Sequence, residues 1–258
     1  MSKESKHTKK DLSLKRVLIV FLILIFLCGM TYLLIFCWNT IKTRKNQSTI
    51  LNDISLPEDE LIDGKSERAI QIEKLQEENS EIIGWLEIDG TDINYPVLQG
   101  SDNSFYMTHN YKKEYSKDGS IFLDKDYNWD KPSSNLLIYG HNNLNGNMFQ
   151  NLLAYKKESY YKEHPQIKFT TKEENTFEII AVFYSRVYYK KEKDVFRYYY
   201  FINAENEQEY DDFISNCKKV SIYEIGNTAH YGEQLLTLST CEYSQEDGRF
   251  VVVAKKIK

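Results

Sequence analysis

Apolar and polar positions change their period along the chain. Residues 17–38 are one continuous apolar run, rich in Leu, Ile and Phe and without a charged side chain. That length suffices to cross a hydrocarbon core as a helix. Over residues 66–83, apolar side chains recur at Ile70, Ile72, Leu75, Ile82 and Ile83 among Glu, Gln and Lys. The spacing predicts a helix with a narrow apolar stripe that ends before Gly84. Beyond it come short strand-like runs separated by turn residues, at 85–88, 93–98, 120–124, 136–141, 166–171, 176–187, 234–241 and 249–256. Such a series predicts a mainly β domain closed, or nearly closed, as an eight-stranded β-barrel. Pro96 belongs at an edge or bulge, because it cannot donate to a ladder. Helical insertions are expected at 146–155, at 160–163 before Pro165, and at 204–220 between the sixth and seventh strands.

Charge turns the long apolar run into an oriented one. Lys3, Lys6, Lys9, Lys10, Lys15 and Arg16 precede it, and Lys42, Arg44 and Lys45 follow. The excess on the N-terminal side places that end in the cytoplasm and the remainder outside the cell membrane. A cleaved signal peptide is the competing reading, but Phe36, Cys37 and Trp38 do not make a small-residue cleavage site. Cys28 follows Leu27 and so lacks the small residue expected before a lipidated cysteine. The expected organisation is a basic cytoplasmic tail (1–16), a single-pass anchor (17–38), a polar stalk containing Pro57 (39–65) and an extracellular domain (66–258). From residue 46 onward there are 24 Lys+Arg against 36 Asp+Glu. This acidic balance argues against nucleic acid or an anionic membrane surface as the domain's partner.

The chemistry concentrates in LLTLSTCEYSQEDGRFVVV, residues 235–253. Cys241 ends its first apolar segment and Arg249 begins the second. Paired as neighbouring strands, the segments set a thiol and a guanidinium on one rim. A thiolate is a strong nucleophile and a fixed cation stabilises a developing oxyanion, so the pair suits acyl transfer. A base is supplied by NLLIYGHN, residues 135–142, where a strand runs out into His141. His7 lies in the tail, His164 precedes Pro165, and His109 and His230 occupy polar loops; His230 is the reserve, since it leads into the Cys241 strand. Cys217, in DDFISNCKKV, reads as a packed residue of an amphipathic helix. A disulfide between Cys217 and Cys241 is the alternative to a free thiol. No metal cluster, phosphate loop or dinucleotide fingerprint calls for a cofactor.

TLSTC, an Arg eight residues on, and the upstream YGHN together resemble the sortases, most closely the class B sortases, membrane-anchored cysteine transpeptidases of Gram-positive bacteria. The resemblance runs from about residue 66 to the last residue. It implies N-terminal helices ahead of an eight-stranded barrel and a long helix between strands six and seven. It also implies that Cys241 attacks the Thr carbonyl of a sorting motif and forms a thioacyl enzyme. His141 would protonate the departing amine and deprotonate the incoming one. Arg249 would hold the oxyanion, with the Glu242 backbone N–H as second donor. GSDNSFYM, residues 100–107, would set Asn103 and Met107 against the peptide, and Ser239 would lie near its Thr. Core packing is the plainer role for Met107. The tyrosine-rich loop 187–201 either shapes substrate choice or covers the barrel. The implied partners are surface proteins with a C-terminal sorting motif, and a peptidoglycan precursor or other amine acceptor. Three alternatives stand beside wall anchoring: a pilin-polymerising sortase using a subunit lysine, a cysteine protease using water, and a non-catalytic receptor on the same barrel. The short spacing from Cys241 to Arg249 demands a tight hairpin.

Overall fold

The structure, a computed structural model, describes residue 16 and residues 18–38, 66–143 and 146–258. The expected stalk lies outside the described residues, as does the tail apart from Arg16. The chain forms two compact units, residues 1–53 and 54–258. In the first, α1 (Leu18–Trp38) is apolar and exposed on every side, and is long enough to cross a membrane.

The second unit opens with α2 (Glu67–Glu78), whose N-cap Ser66 accepts the Ala69 N–H on Oγ at 3.2 Å. The helix ends earlier than its apolar pattern suggests. Asn79 leaves helical geometry; its Nδ2 donates to Tyr106 OH and the Tyr111 carbonyl, and its Oδ1 accepts the Glu81 N–H. An Asn that can bond locally and across the fold competes with the next helical turn. Ile82 and Ile83 therefore open a strand, which suits β-branched side chains. Gly84 lies inside that strand beside a register shift, where a Cβ would sit 2.7 Å from the Thr170 carbonyl oxygen.

Eight strands follow: β1 (Ile82–Glu87), β2 (Asn94–Leu98), β3 (Ile121–Leu123), β4 (Asn135–Tyr139), β5 (Gln166–Thr170), β6 (Glu174–Arg186), β7 (Leu235–Cys241) and β8 (Gly248–Lys256). They close into a barrel in the order β1-β2-β3-β4-β7-β8-β6-β5, with β2–β3 and β4–β7 parallel. Pro96 pairs with Trp85 of β1, and β3 joins β2 only from Val97 on. Its missing N–H therefore leaves no gap in the β2–β3 ladder. The insertion expected at 146–155 is a 3-10 turn at Gln150–Lys156, followed by the short α3 (Glu158–Glu163). The insertion between β6 and β7 contains α4 (Glu207–Val220), capped by Asn206. Among the described residues, α2 alone stands for the helices expected directly ahead of the barrel.

The unbroken apolar runs of β4, β7 and β8 reflect burial on both faces. Leu136, Ile138, Leu236, Leu238, Phe250 and Val252 point into the barrel. Their neighbours Leu137, Leu235, Val251 and Val253 pack outward with Tyr210, Phe213 and Cys217 of α4. Each such aliphatic or Phe side chain contributes about 1.5–3 kcal/mol when fully buried. This two-sided packing holds rigid the three strands that carry the site. β4 and β7 run parallel, with Tyr139 opposite Ser239, so both chains leave the barrel at the same rim. β8 returns antiparallel to β7 with Arg249 opposite Cys241.

Candidate active site

Three contacts bind the end of β7 to the segment leaving β4. The Gly140 N–H donates to the Ser239 carbonyl (3.2 Å), Thr240 Oγ1 donates to the Gly140 carbonyl (2.8 Å), and Asn142 Nδ2 donates to the Cys241 carbonyl (3.0 Å). Gly140 permits this close turn, since a Cβ there would meet Ile121 Cδ1 at 2.4 Å and the Phe149 ring at 2.7 Å. β4 stops at Tyr139, so His141 lies on the turn just beyond the strand.

The His141 ring is fixed by its far nitrogen. Nε2 lies 2.7 Å from the Met107 carbonyl oxygen. A carbonyl can only accept, so Nε2 carries a proton and Nδ1 is left for the thiol. The hydrogen bond with His141 lowers the Cys241 pKa; burial opposes it, and the nearby Arg249 charge adds to the lowering. The same bond raises the His141 pKa, again against burial. The two groups titrate as a pair, displaced toward a thiolate and an imidazolium. Cys217 shows the opposite environment: burial pushes its thiol well up, against a weaker lowering by a backbone hydrogen bond. Both cysteines are free, so no disulfide joins them.

Arg249 faces Cys241 because directly opposed residues of an antiparallel pair project to one side. Its Nη1 donates to the carbonyls of Asp247 (3.2 Å) and Gly248 (2.9 Å), which orients the guanidinium plane. The hairpin is as tight as the spacing requires. Asp247 has φ 53°, and a Cβ on Gly248 would fall 2.2 Å from the Glu242 carbonyl oxygen.

A cleft of about 230 Å³ gathers six of the seven expected residues: Asn103, Met107, His141, Ser239, Cys241 and Arg249. The seventh, Glu242, does not line the cleft. Its N–H donates to the Gly248 carbonyl at 2.9 Å and is not offered to the cleft. Its carboxylate pairs with Lys156 (2.8 Å) and accepts the Ser244 N–H (2.9 Å). So short a hairpin needs that N–H for its own closing bond, and Glu242 serves as its clasp. The other described histidines are elsewhere occupied: His109 stacks on Phe105 with ring centroids 4.0 Å apart, and His164 Nδ1 lies 2.9 Å from the Asp89 carbonyl oxygen. The His230 N–H donates to Glu233, and His230 does not line the cleft.

Sequence reasoning missed several residues of this cleft. Tyr139 forms part of its wall and donates to Asp124 Oδ2 at 2.9 Å. Tyr198 is fully buried and shares a 2.6 Å hydrogen bond with Ser239 Oγ. In the tyrosine-rich loop, Tyr198 covers the barrel, and Val187 and Tyr199 line the cleft. Tyr139 could have been noted from its place in YGHN; nothing local marks Tyr198 among its neighbours.

All of this geometry lies within residues 86–257, which match the family model of the sortase domain. The chain belongs to the sortase family. It is 35% identical to sortase B of Staphylococcus aureus (strain NCTC 8325 / PS 47) over 190 residues, 73% of this chain and 75% of that protein. To sortase B of Listeria monocytogenes serovar 1/2a (strain ATCC BAA-679 / EGD-e) it is 33% identical over 192 residues, 72% and 74% of the two chains. A solved structure of a Staphylococcus aureus sortase B-substrate complex superposes with a TM-score of 0.68 at 30% identity, covering 83% of this chain and 94% of that one. This sortase is accordingly a class B cysteine transpeptidase, built on the closed eight-stranded barrel of its relatives.

Proposed function

We propose that this sortase is held in the membrane by α1 with its N-terminus in the cytoplasm. On the outer face it cleaves a C-terminal sorting motif after Thr, through a thioacyl intermediate on Cys241, and joins the client to a cell-wall amine. The observation that carries the reading is the single rim on which Cys241 and Arg249 stand opposed while the Met107 carbonyl fixes the His141 tautomer. The basic flank before α1 supports the orientation.

The steps follow from the proton positions. Nδ1 of His141 takes the thiol proton and Sγ attacks the Thr carbonyl carbon, forming a tetrahedral oxyanion beside the Arg249 guanidinium. His141 returns the proton to the departing amine nitrogen, the C–N bond breaks and a thioester remains. An incoming amine gives its proton to His141, attacks the thioester and expels the thiolate. The client peptide lies between Asn103 and Met107 on one side and Ser239 on the other, all of which line the cleft.

The test uses the full chain in detergent micelles with Leu-Pro-x-Thr-Gly and Asn-Pro-x-Thr peptides, with and without triglycine, and products read by mass spectrometry. Cleavage after Thr with triglycine joined to the new end is the expected result. A hydrolysed product that triglycine cannot divert would favour a protease. Intact peptides throughout, from a folded protein with a free thiol, would favour a receptor.

A further inference from the structure

Beneath the cleft lies a carboxylate that the steps above do not use. Asp124 directly follows β3 and is 3% exposed. Its N–H extends the β3–β4 ladder to the Leu137 carbonyl (2.8 Å), and its own carbonyl accepts from Gln99 Nε2 (3.0 Å) and the Tyr127 N–H (3.2 Å). The backbone is thus held from two directions before the side chain is considered. Oδ1 accepts the Asp126 N–H (2.9 Å). Oδ2 accepts twice, from Tyr139 OH and from Asn103 Nδ2, both at 2.9 Å. The other end of the Asn103 amide is also taken: Oδ1 accepts the Lys125 N–H at 2.8 Å.

Burying a carboxylate among neutral donors is unfavourable unless its bonds are well made. Here one oxygen joins two residues of the cleft. We propose that Asp124 is a positioning residue for the transpeptidation, fixing Asn103 and Tyr139 in the poses that receive the peptide; this rests on the reading that the cleft binds the sorting motif. A carboxylate oxygen can only accept, so it dictates which end of the Asn103 amide faces it. That leaves one spare N–H and one spare lone pair of set polarity, the pattern an extended peptide's own amide can meet. The Tyr139 hydroxyl, donating inward, keeps its ring as a flat apolar wall. Asp124 therefore fixes the rigid side of the recognition surface and takes no part in the proton transfers.

The test combines kinetics with a readout that needs no peptide. In Asp124→Asn the side chain retains one acceptor oxygen for three donors. We expect KM for a peptide the unaltered enzyme turns over to rise about 10-fold, with kcat and the alkylation rate of Cys241 little changed, as for loss of a charged hydrogen bond used in binding. In an Asn103→Ala, Tyr139→Phe background the same change should add less than about 2-fold, since the groups it acts through are gone. A full effect persisting in that background, or an equal fall in kcat and alkylation, would overturn the inference. Independently, the full chain labelled with ¹⁵N-asparagine should give a dispersed Asn103 side-chain amide pair that moves to solvent-like values in Asp124→Asn. Solvent-like values in the unaltered protein would sink the inference even if no peptide is turned over, an outcome that would itself count against the proposed function.

Discussion

Replacing Cys241 by Ala is expected to abolish peptide cleavage, and replacing His141 by Ala to lower it on the order of 10⁴-fold, with the double variant no worse than Cys241→Ala alone. The non-additivity follows from the geometry, because thiol and imidazole exchange one proton and neither functions without the other. The pH behaviour follows as well. The His141 bond is the largest influence on Cys241 and draws its pKa down, so alkylation of the thiol should rise through a midpoint below that of an ordinary cysteine. The His141 pKa moves up, so kcat/KM should fall on the alkaline side as imidazolium is lost, giving a bell. In His141→Ala the lowering bond is gone while burial still opposes the charge, and the alkylation midpoint should move upward. Rates of iodoacetamide modification at the Cys241 peptide, followed by mass spectrometry across pH, check this directly. An unmoved midpoint would mean that the imidazole does not hold the thiol.

Arg249→Lys should lose about 10²–10³ in kcat, the range for removal of one oxyanion donor. Lysine keeps the charge that helps lower the Cys241 pKa, so the alkylation midpoint should shift little. What it cannot reproduce is the planar fork tied through Nη1 to two main-chain carbonyls. Arg249→Ala removes both properties and should raise the midpoint as well as slow turnover. Retention of activity within a few-fold in the lysine variant would reduce Arg249 to a background charge and leave the oxyanion without its proposed partner.

The barrel was legible in the sequence because its strands are short, apolar and bounded by turn residues, and the parallel pairing of β4 with β7 did not disturb that local pattern. The meeting of Cys241, His141 and Arg249 on one rim was legible for a similar reason, since each sits at or just beyond the end of a strongly marked strand. Ile82 and Ile83 were misread as helix because their spacing continues the stripe of α2. What ends that stripe is Asn79 bonding to Tyr106 and Tyr111, residues remote in sequence. The bond from the Glu242 N–H to the Gly248 carbonyl was not legible, because it depends on how tightly the β7–β8 hairpin closes. The bonds from Asn103 and Tyr139 to Asp124, and from Tyr198 to Ser239, join loops and strands whose proximity exists only in the closed barrel. No local period encodes them.

The β4–β7 pairing also bears on the life of the chain before it is an enzyme. Thr240 and Gly140, which seal that pairing, are 100 positions apart. Contacts so distant form late, because a long loop must close before they repay its entropy. The acidified thiol is therefore a property of the finished topology and not of the sequence around Cys241, so a half-folded chain carries a thiol of ordinary reactivity. Cys217 behaves in the opposite sense, being sealed between its own helix α4 and the barrel once folding is done. The two thiols form a native pair of folding reporters with opposite sign, one gaining reactivity as the barrel closes and the other losing it.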